Sequence, residues 1–380
     1  MGCFPLRRRP RATPGGLRFA ARPPKLYVRV MNPRLEDRDR ARPLPRALAL
    51  LFPLSLLLLQ GVARAGEPFS ASEPALTVSP LAVESIQRIV SLGNLNPRGW
   101  HVFPTDHMYL DYGGAAGLQV LAPADGTVFA VRTQSKGDFK VEIRLDAHVC
   151  IYVAHLFVEP GIEAGRAVKA GQVLGRTSGR SWLDLGAYDS RVRLAGFANP
   201  SRYPQSTLQT VSPLRLFVEP LRGRLYGKVR REGADKDGRC DQDVPGRLAG
   251  NWFLESAGMA PKKDSSDPFG SQGQLAFVHD VEHPTQVRIS IGGTIAPPGI
   301  YATTPEAPDP AVVSVESGLV RYPLVQVDSG SSGRDEPARS LFLLVRVMDP
   351  TRLRVTCVAT NATNVGALDL DDDHAWTYRR

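Results

Sequence analysis

The chain has 380 residues, of which 42% are hydrophobic, 22% charged and 7% aromatic, so it can build a packed core and is too long for one small module. Its 35 glycines and 32 prolines favour turn-rich β structure. The net charge of +9 is concentrated in residues 1–65, with 14 basic and 3 acidic side chains, against 33 and 35 in the remainder. A nearly neutral body argues against nucleic acid as a main partner.

The basic N-terminal segment has the pattern of a signal peptide. Arginines between residues 34 and 46 precede an apolar run over residues 47–59, and Val62-Ala63-Arg64-Ala65 follows with small residues at the cleavage positions. The run is shorter than the roughly 20 residues that span a bilayer. We therefore expect cleavage near Ala65 and an exported protein, periplasmic or extracellular, without a membrane span; an uncleaved anchor is the alternative. Met31 is a better-placed start than Met1.

After this N-terminal extension, residues 66–99 are predicted to be a linker with one short helix, because apolar residues recur at helical spacing between residues 81 and 90. Residues 100–226 contain short runs rich in valine, isoleucine and aromatic residues, which predict strands over 119–122, 126–133, 140–145 and 150–156. The charged, glycine-rich residues 227–247 are predicted to be a second linker.

Residues 248–380 are predicted to form a second β domain, a barrel or sandwich. The expected strands are 275–279, 286–291, 341–348, 352–359 and 375–379, and residues 296–310 and 328–337 are expected to be loops. Gly250-Asn-Trp252 resembles the G-x-W opening of lipocalin-like barrels, although one tryptophan packed at the base of a barrel explains the motif without a ligand. Export permits disulfides, and a Cys240–Cys357 bridge is one arrangement that would leave Cys150 free.

Four motifs follow one another within residues 100–190. They are His107-Met-Tyr-Leu-Asp111, Ala122-Pro-Ala-Asp-Gly126-Thr-Val128, Tyr152-Val-Ala-His155-Leu156 and Gly165-Arg-Ala-Val168-Lys-Ala-Gly171-Gln-Val-Leu-Gly175. The last is typical of a β-hairpin whose valine packs inward. Biotinyl and lipoyl carrier domains share part of this pattern, but they need a lysine in a D-K or M-K hairpin tip for acylation, and residues 126–165 offer no such tip.

In this order the motifs resemble the lysostaphin/LytM-type zinc endopeptidases, which cut peptide cross-links in bacterial cell walls. The resemblance implies the duplicated hybrid motif, a small antiparallel β-sandwich, so the expected chain is mainly β with a peptidase-like sandwich followed by a second β domain. It also implies zinc as the cofactor, with His107 and Asp111 as ligands and His155 as an acid–base group.

The last family motif, H-x-H, is degenerate in this chain. Trp182-Leu-Asp184-Leu-Gly186 stands at its place, so Asp184 replaces the catalytic histidine and Gly186 replaces the third zinc ligand. Two protein ligands make an incomplete site where catalytic zinc ordinarily has three. His101, His148 or Asp184 itself are the candidates for a substitute ligand.

The leading hypothesis is therefore a non-catalytic cell-envelope protein that binds peptide, peptidoglycan or a partner protein. One alternative is an active zinc metalloendopeptidase with a rearranged ligand set. A second alternative is small-ligand binding by the C-terminal barrel, which requires an enclosed apolar cavity. The polar and aromatic residues 197–204 are expected to form a loop, with a place at the edge of a peptide groove as the alternative.

Overall fold

The structure, a computed structural model, describes residues 74–99, 101–255, 270–327, 341–359, 369–370 and 374–380. They form a sheet of ten antiparallel strands followed by a closed barrel of eight, which confirms the expected mainly β chain with an antiparallel β domain followed by a second β domain, here a barrel. The predicted signal peptide lies outside the described residues. Within them, every helix is too short or too polar to cross a membrane.

The sheet is built from the first ten strands in an order that differs from the chain order. Seven strands pair in the sequence β1-β2-β9-β6-β5-β4-β7, while β8 pairs with β3 and β6, and β10 pairs with β9. The strands are β1 (Arg88–Val90), β2 (Met108–Asp111), β3 (Gln119–Leu121), β4 (Gly126–Ser135), β5 (Asp138–Arg144), β6 (Val149–Val158), β7 (Ala167–Val168), β8 (Val173–Thr177), β9 (Trp182–Asp189) and β10 (Thr210–Val211).

The central strands β6 and β9 have two different faces. Because successive side chains of a strand point to opposite sides, Ile151 and Val153 enter the hydrophobic core while Tyr152 points the other way. On β9, Leu183 and Leu185 enter the same core, and Asp184 lies between them on the opposite face. The sheet thus presents polar side chains opposite its core.

Two local predictions in this region need correction. The short helix expected over residues 81–90 is wrong: this segment has one 3-10 turn, Val83–Ser85, followed by β1, which pairs with β2. Ile89 is β-branched and fully buried there, so pairing prevails over the helical spacing. The glycine-flanked segment 165–175 is not one hairpin, because β7 pairs with β4 and β8 with β3 and β6, although Val168 packs inward as predicted.

The barrel runs up and down, and β11 closes it by pairing with β18. Its strands are β11 (Gly250–Leu254), β12 (Gln274–His279), β13 (Val287–Ile291), β14 (Gly299–Ala302), β15 (Leu319–Gln326), β16 (Leu341–Asp349), β17 (Arg352–Ala359) and β18 (Trp376–Arg379). Strand β14 lies inside the segment predicted as a loop, and β15, which contains Pro323, was not among the predicted strands.

Within the described part of the barrel, the inward side chains form one buried hydrophobic cluster. Trp252, Tyr301, Tyr322 and Tyr378 are all fully buried in it. An eight-stranded barrel is just wide enough for side chains to fill, so this packing does not favour a small-ligand carrier. The three described cysteines, Cys150, Cys240 and Cys357, are free, so the bridge considered between the last two is absent.

Two short helices complete the sheet domain. The first, α1 (Gln205–Leu208), lies between β9 and β10, and the second, α2 (Leu221–Tyr226), precedes the second linker. The linker contacts the core region through a backbone hydrogen bond from Leu92 N–H to the Asp237 carbonyl. Asp237 also accepts hydrogen bonds from the Tyr226 hydroxyl and the Arg215 guanidinium, so its carboxylate fixes this part of the linker.

Candidate functional site

Strand pairing brings three of the sequence-predicted site residues together on the polar face of the sheet. Ala154 on β6 and Tyr109 on β2 both lie opposite Asp184 on β9. His107 directly precedes β2 and His155 directly follows Ala154 on β6. As a result, Oδ2 of Asp184 lies 3.4 Å from Nε2 of His107 and 3.2 Å from Nε2 of His155.

The other ring nitrogen of each histidine, Nδ1, also faces a carboxylate. Nδ1 of His107 donates to Asp106 at 3.1 Å, and Nδ1 of His155 donates to Asp138 at 2.9 Å. The five side chains therefore alternate in the order Asp106, His107, Asp184, His155, Asp138. We call these five residues the His–Asp chain. Arg180 extends it, because its guanidinium lies 3.0 Å from Oδ2 of Asp138.

The alternation of carboxylates and imidazoles shifts the pKa values of the His–Asp chain. Burial alone would lower the pKa of His107, but Asp184 and Asp106 outweigh it and raise the pKa above its usual value. The pKa of His155 is raised in the same way, with burial opposed by Asp184 and Asp138. Burial would raise the pKa of Asp184, but both histidines lower it, so the carboxylate stays ionised between two imidazoles that favour the protonated form.

His155 occupies an unusual backbone position. Its φ is 73°, and it is the one non-glycine residue with positive φ among those described. On β5, Phe139 pairs with Leu156 and Lys140 with Ala154, which leaves His155 as an unpaired bulge residue. The bulge turns the ring toward Asp184. Such strain costs on the order of 1–3 kcal/mol and persists where surrounding structure holds it, here with a carboxylate at each ring nitrogen.

Asp111, a ligand implied by the resemblance, does not join the His–Asp chain. It lies at the far end of β2 from His107, where its carboxylate is 3.1 Å from Nε of Arg88 and accepts the Gly113 N–H. His148 is also elsewhere, with Nδ1 2.9 Å from the Ser190 hydroxyl. His101 does lie beside the site, with its ring centre 5.3 Å from that of His107, and burial lowers its pKa to about 4, so it is neutral.

Gly186, which stands where the resemblance implies the third zinc ligand, is covered by Tyr152. A β-carbon built on Gly186 would lie 2.2 Å from Cζ of Tyr152 and 2.5 Å from its hydroxyl oxygen. The hydroxyl is held in place, because it donates to Oδ1 of Asp106 at 3.1 Å. A histidine at position 186 would therefore need the space that the tyrosine ring fills.

These observations decide whether the residues present fit the zinc that the resemblance implies. Over the described parts of the chain, no three His, Cys, Asp or Glu side chains are grouped so that they could hold a metal ion. Asp111 is paired with Arg88, Gly186 has no ligand atom, and the Asp184 carboxylate already lies against both histidines. The residues do not fit a catalytic zinc centre, which ordinarily has three protein ligands and an open position.

Sequence reasoning missed several members of the site. Asp106 is the neighbour of His107, so its sequence position could have suggested it. Asp138 and Tyr152 carry no such signal, because only the register of β5, β6 and β9 brings them to the site. Thr207, whose hydroxyl donates to Oδ2 of Asp106 at 2.5 Å, comes from α1, 101 residues further along the chain.

The sequence matches no protein-family model and no curated protein. Among solved structures, the chain is similar to Csd3 of Helicobacter pylori, with 26% identity over 30% of this chain and 32% of that one and a TM-score of 0.25. It is also similar to a zinc-containing peptidase from Vibrio cholerae, with 22% identity over 30% and 37% of the two chains and a TM-score of 0.25.

The antimicrobial peptidase lysostaphin from Staphylococcus simulans is a third similar structure, at 13% identity over 61% of this chain and 88% of that one, with a TM-score of 0.28. The matched region spans about a third of the length of the first two structures, 32% and 37%. The neighbours of this chain among solved structures are peptidases of the LytM type, the family that its motifs resemble.

Proposed function

We propose that this chain is an exported cell-envelope protein whose LytM-like domain is non-catalytic and binds cell-wall peptide. The observation that carries the proposal is the position of the Asp184 carboxylate, which lies within 3.4 Å of Nε2 of His107 and 3.2 Å of Nε2 of His155. Zinc chemistry needs these nitrogens to face a metal and a water. Here they face an ionised side chain.

The state of His155 supports a loss of catalysis. A general base needs a ring nitrogen within hydrogen-bond reach of the proton it removes. Nδ1 of His155 is committed to Asp138 and Nε2 lies against Asp184, so carboxylates stand at both nitrogens. Because these carboxylates raise the pKa of His155, the imidazole also favours the protonated form, which cannot act as a base.

The accessible groups of the site favour binding of an anionic or carbonyl-rich peptide. The Arg180 side chain is 46% exposed, although one of its nitrogens is paired with Asp138. A guanidinium carries five donors, so it can hold Asp138 and still donate to a peptide carboxylate. His155 lies at the same Asp138 oxygen and its side chain is 17% exposed, but both of its ring nitrogens already face carboxylates, so the recognising group is the Arg180 guanidinium. A peptide carboxylate is the group that a guanidinium recognises.

The test is a combined binding and cleavage assay on purified peptidoglycan with zinc present. We expect the protein to sediment with the insoluble peptidoglycan, to release no soluble peptide, and to retain no zinc after dialysis. Arg180→Gln should weaken sedimentation, whereas Arg166→Gln, which removes an exposed arginine from the turn before β7, should not. Release of soluble peptide together with about one retained zinc per chain would establish the active enzyme instead, and absence of both sedimentation and cleavage would refute peptide binding.

Export is tested separately. We expect N-terminal sequencing of the protein recovered outside the cytoplasm to begin after Ala65, as the small residues at the cleavage positions predict. A mature chain that keeps residues 1–65 would refute the cleavage and favour the uncleaved anchor.

A further inference from the structure

Two loops that lie beside the His–Asp chain also reach the barrel. The 91–107 loop leads into β2 and carries Asp106 and His107. The 190–209 loop follows β9 and contains α1 with Thr207. Each contacts the barrel with apolar and aromatic side chains, and each contributes to the hydrogen bonds around Asp106.

The 91–107 loop packs on the outer wall of the barrel. Leu95 is buried in one cluster with Ala276 and Val278 of β12, and Phe103 packs against the same cluster. The ring of Phe103 meets the ring of Phe253 edge to face, with centres 4.9 Å apart. This distance and geometry are those of a favourable aromatic pair.

The 190–209 loop contacts the same barrel phenylalanine from another side. The ring centre of Tyr203 is 5.9 Å from that of Phe253, and the Arg202 guanidinium lies 3.9 Å from the centre of the Phe253 ring. The side-chain amide of Asn251 donates to the Tyr203 hydroxyl at 3.1 Å. Phe253 is thus the barrel side chain that both loops share.

The two loops meet again at Asp106. Its Oδ2 accepts the Thr207 hydroxyl from the 190–209 loop at 2.5 Å, and its Oδ1 accepts the Tyr152 hydroxyl at 3.1 Å and faces Nδ1 of His107 at 3.1 Å. The orientation of this carboxylate therefore depends on both loops being in place. His107, whose Nδ1–H points to Asp106, is fixed by the same contacts.

We propose that the barrel positions the His–Asp chain, and that Phe253 is the positioning residue through which it acts. By holding Phe103 and Tyr203 against one another, Phe253 sets the distance between Asp106 on one loop and Thr207 on the other. The proposal goes beyond the proposed function, because it concerns what holds His107 and stands whether or not the site binds peptide. It gives the second β domain a role in the site of the first.

The position of Phe253 makes this role testable without emptying the barrel. Successive side chains of β11 point to opposite sides, so Trp252 enters the barrel core while Phe253 faces outward onto the loops. Phe253 is only 6% exposed, but its cover comes from Phe103, Tyr203 and Arg202 rather than from the barrel interior. Truncation to alanine therefore removes the contact with the loops and leaves the interior packing complete.

The experiment is NMR of the full chain with labelled histidine, following the Nδ1–H protons of His107 and His155. In Phe253→Ala, exchange of the His107 Nδ1–H with water should accelerate by about tenfold or more, the effect of losing one well-formed hydrogen bond. The His155 Nδ1–H, which is donated to Asp138 on β5, should exchange as in the unmodified chain. Phe253→Leu should restore most of the protection, because it refills the contact.

Phe129→Ala is the matched control, since it removes a 43% exposed phenylalanine of β4 and should change neither proton. Unchanged exchange of the His107 Nδ1–H in Phe253→Ala would overturn the proposal, as would equal acceleration at both histidines with the unfolding temperature unchanged. Should Phe253→Ala fail to fold, Phe103→Ala tests the same contact from the other partner. Selective acceleration at His107 is again expected, and its absence there refutes the positioning role.

Discussion

The phenol ring of Tyr152 covers Gly186 so closely that a β-carbon at position 186 would lie 2.2 Å from its Cζ. The two residues lie opposite one another on β6 and β9. The tyrosine hydroxyl is committed to Asp106, so the ring cannot turn away without breaking that hydrogen bond. The glycine at position 186 and the tyrosine ring that covers it are thus one structural feature.

This relationship predicts a specific coupling. Gly186→Ala should destabilise the fold by about 1–3 kcal/mol, the usual cost of overpacking a filled site. In a Tyr152→Ala background the same substitution should cost close to nothing, since the ring that it would strike is gone. Urea unfolding of the two single variants and the double variant measures the coupling free energy directly. Additive effects of the two substitutions would show that the ring does not close this position.

The His–Asp chain and the neighbouring His101 together predict a stability maximum near pH 6.5. His107 and His155 have raised pKa values in the folded chain, so their contribution is fully present below pH 6.5 and is lost as the pH rises through the folded values. His101 is the opposite case: its pKa is lowered to about 4, so stability is lost as the pH falls from 6.5. Asp184, whose pKa is also lowered, adds a loss below pH 3.8.

The free energy of unfolding measured from pH 3 to 9 checks this profile. His101→Gln should remove the loss between pH 6.5 and 4 and leave the alkaline side as it is. His155→Gln should instead reduce the fall above pH 6.5. A profile that is flat on the alkaline side of the unmodified chain would show that the two histidines gain no protonation energy from their carboxylates.

Much of the fold could be predicted from local sequence, because β-branched and aromatic runs bounded by glycine and proline mark most strands. The strand predicted over residues 352–359 agrees with β17. The failures have physical causes: Ile86 and Ile89 have helical spacing, but both are buried and Ile89 lies in β1, which pairs with β2, and Pro323 lies within β15. The sequence of one strand does not show which other strand it will pair with.

The candidate site was likewise predictable only where the signal is local in the sequence. Motif order located His107, His155 and Asp184, and the structure brings these three together. It could not show that Asp111 pairs with Arg88, because that depends on β1 lying beside β2. The bulge that aims His155 likewise arises from the register between β5 and β6, which no residue of the Tyr152–Leu156 motif specifies.

The left-handed backbone conformation of His155 predicts that the usual order of stability of an alanine and a glycine variant is reversed at this position. At an ordinary strand position alanine is more stable than glycine by roughly 0.5–1 kcal/mol. At position 155, with φ at 73°, glycine should instead be the more stable by about 1 kcal/mol, because alanine keeps the steric cost of the left-handed region. Both variants lose the imidazole, so the difference between them isolates the backbone.

Phe157, exposed on the same strand, supplies the control pair. There, Phe157→Ala should be more stable than Phe157→Gly, the usual order. Urea unfolding of the four variants compares the two positions under one set of conditions. If alanine were the more stable residue at both positions, the strain at His155 would be absent in solution.

Arg380 packs its guanidinium against the barrel residue Trp252, and its removal should destabilise the barrel. Its guanidinium lies 3.8 Å from the ring centre of Trp252 and donates to the carbonyls of Val244 and Ala249 at 3.0 and 3.1 Å. Burial lowers its pKa to about 10, so it stays charged at neutral pH. Arg380→Met keeps much of the stem and loses the donors, which leaves buried carbonyls unpaired. We expect a loss of about 2–4 kcal/mol in unfolding free energy.

Tryptophan fluorescence follows this change at Trp252. The indole N–H of Trp252 donates to the carbonyl of Leu248, the residue before Ala249, whose carbonyl accepts from Arg380. Arg379→Met is the matched control, because the Arg379 side chain is 48% exposed and pairs with Glu255 at the surface, where ion pairs contribute roughly 0–1 kcal/mol. Because the Arg380 guanidinium lies on the Trp252 ring, Arg380→Met should lower the denaturant midpoint of the fluorescence transition relative to the unmodified chain. Equal stability of the Arg380→Met and Arg379→Met variants would mean that the hydrogen bonds of the buried Arg380 guanidinium do not stabilise the barrel.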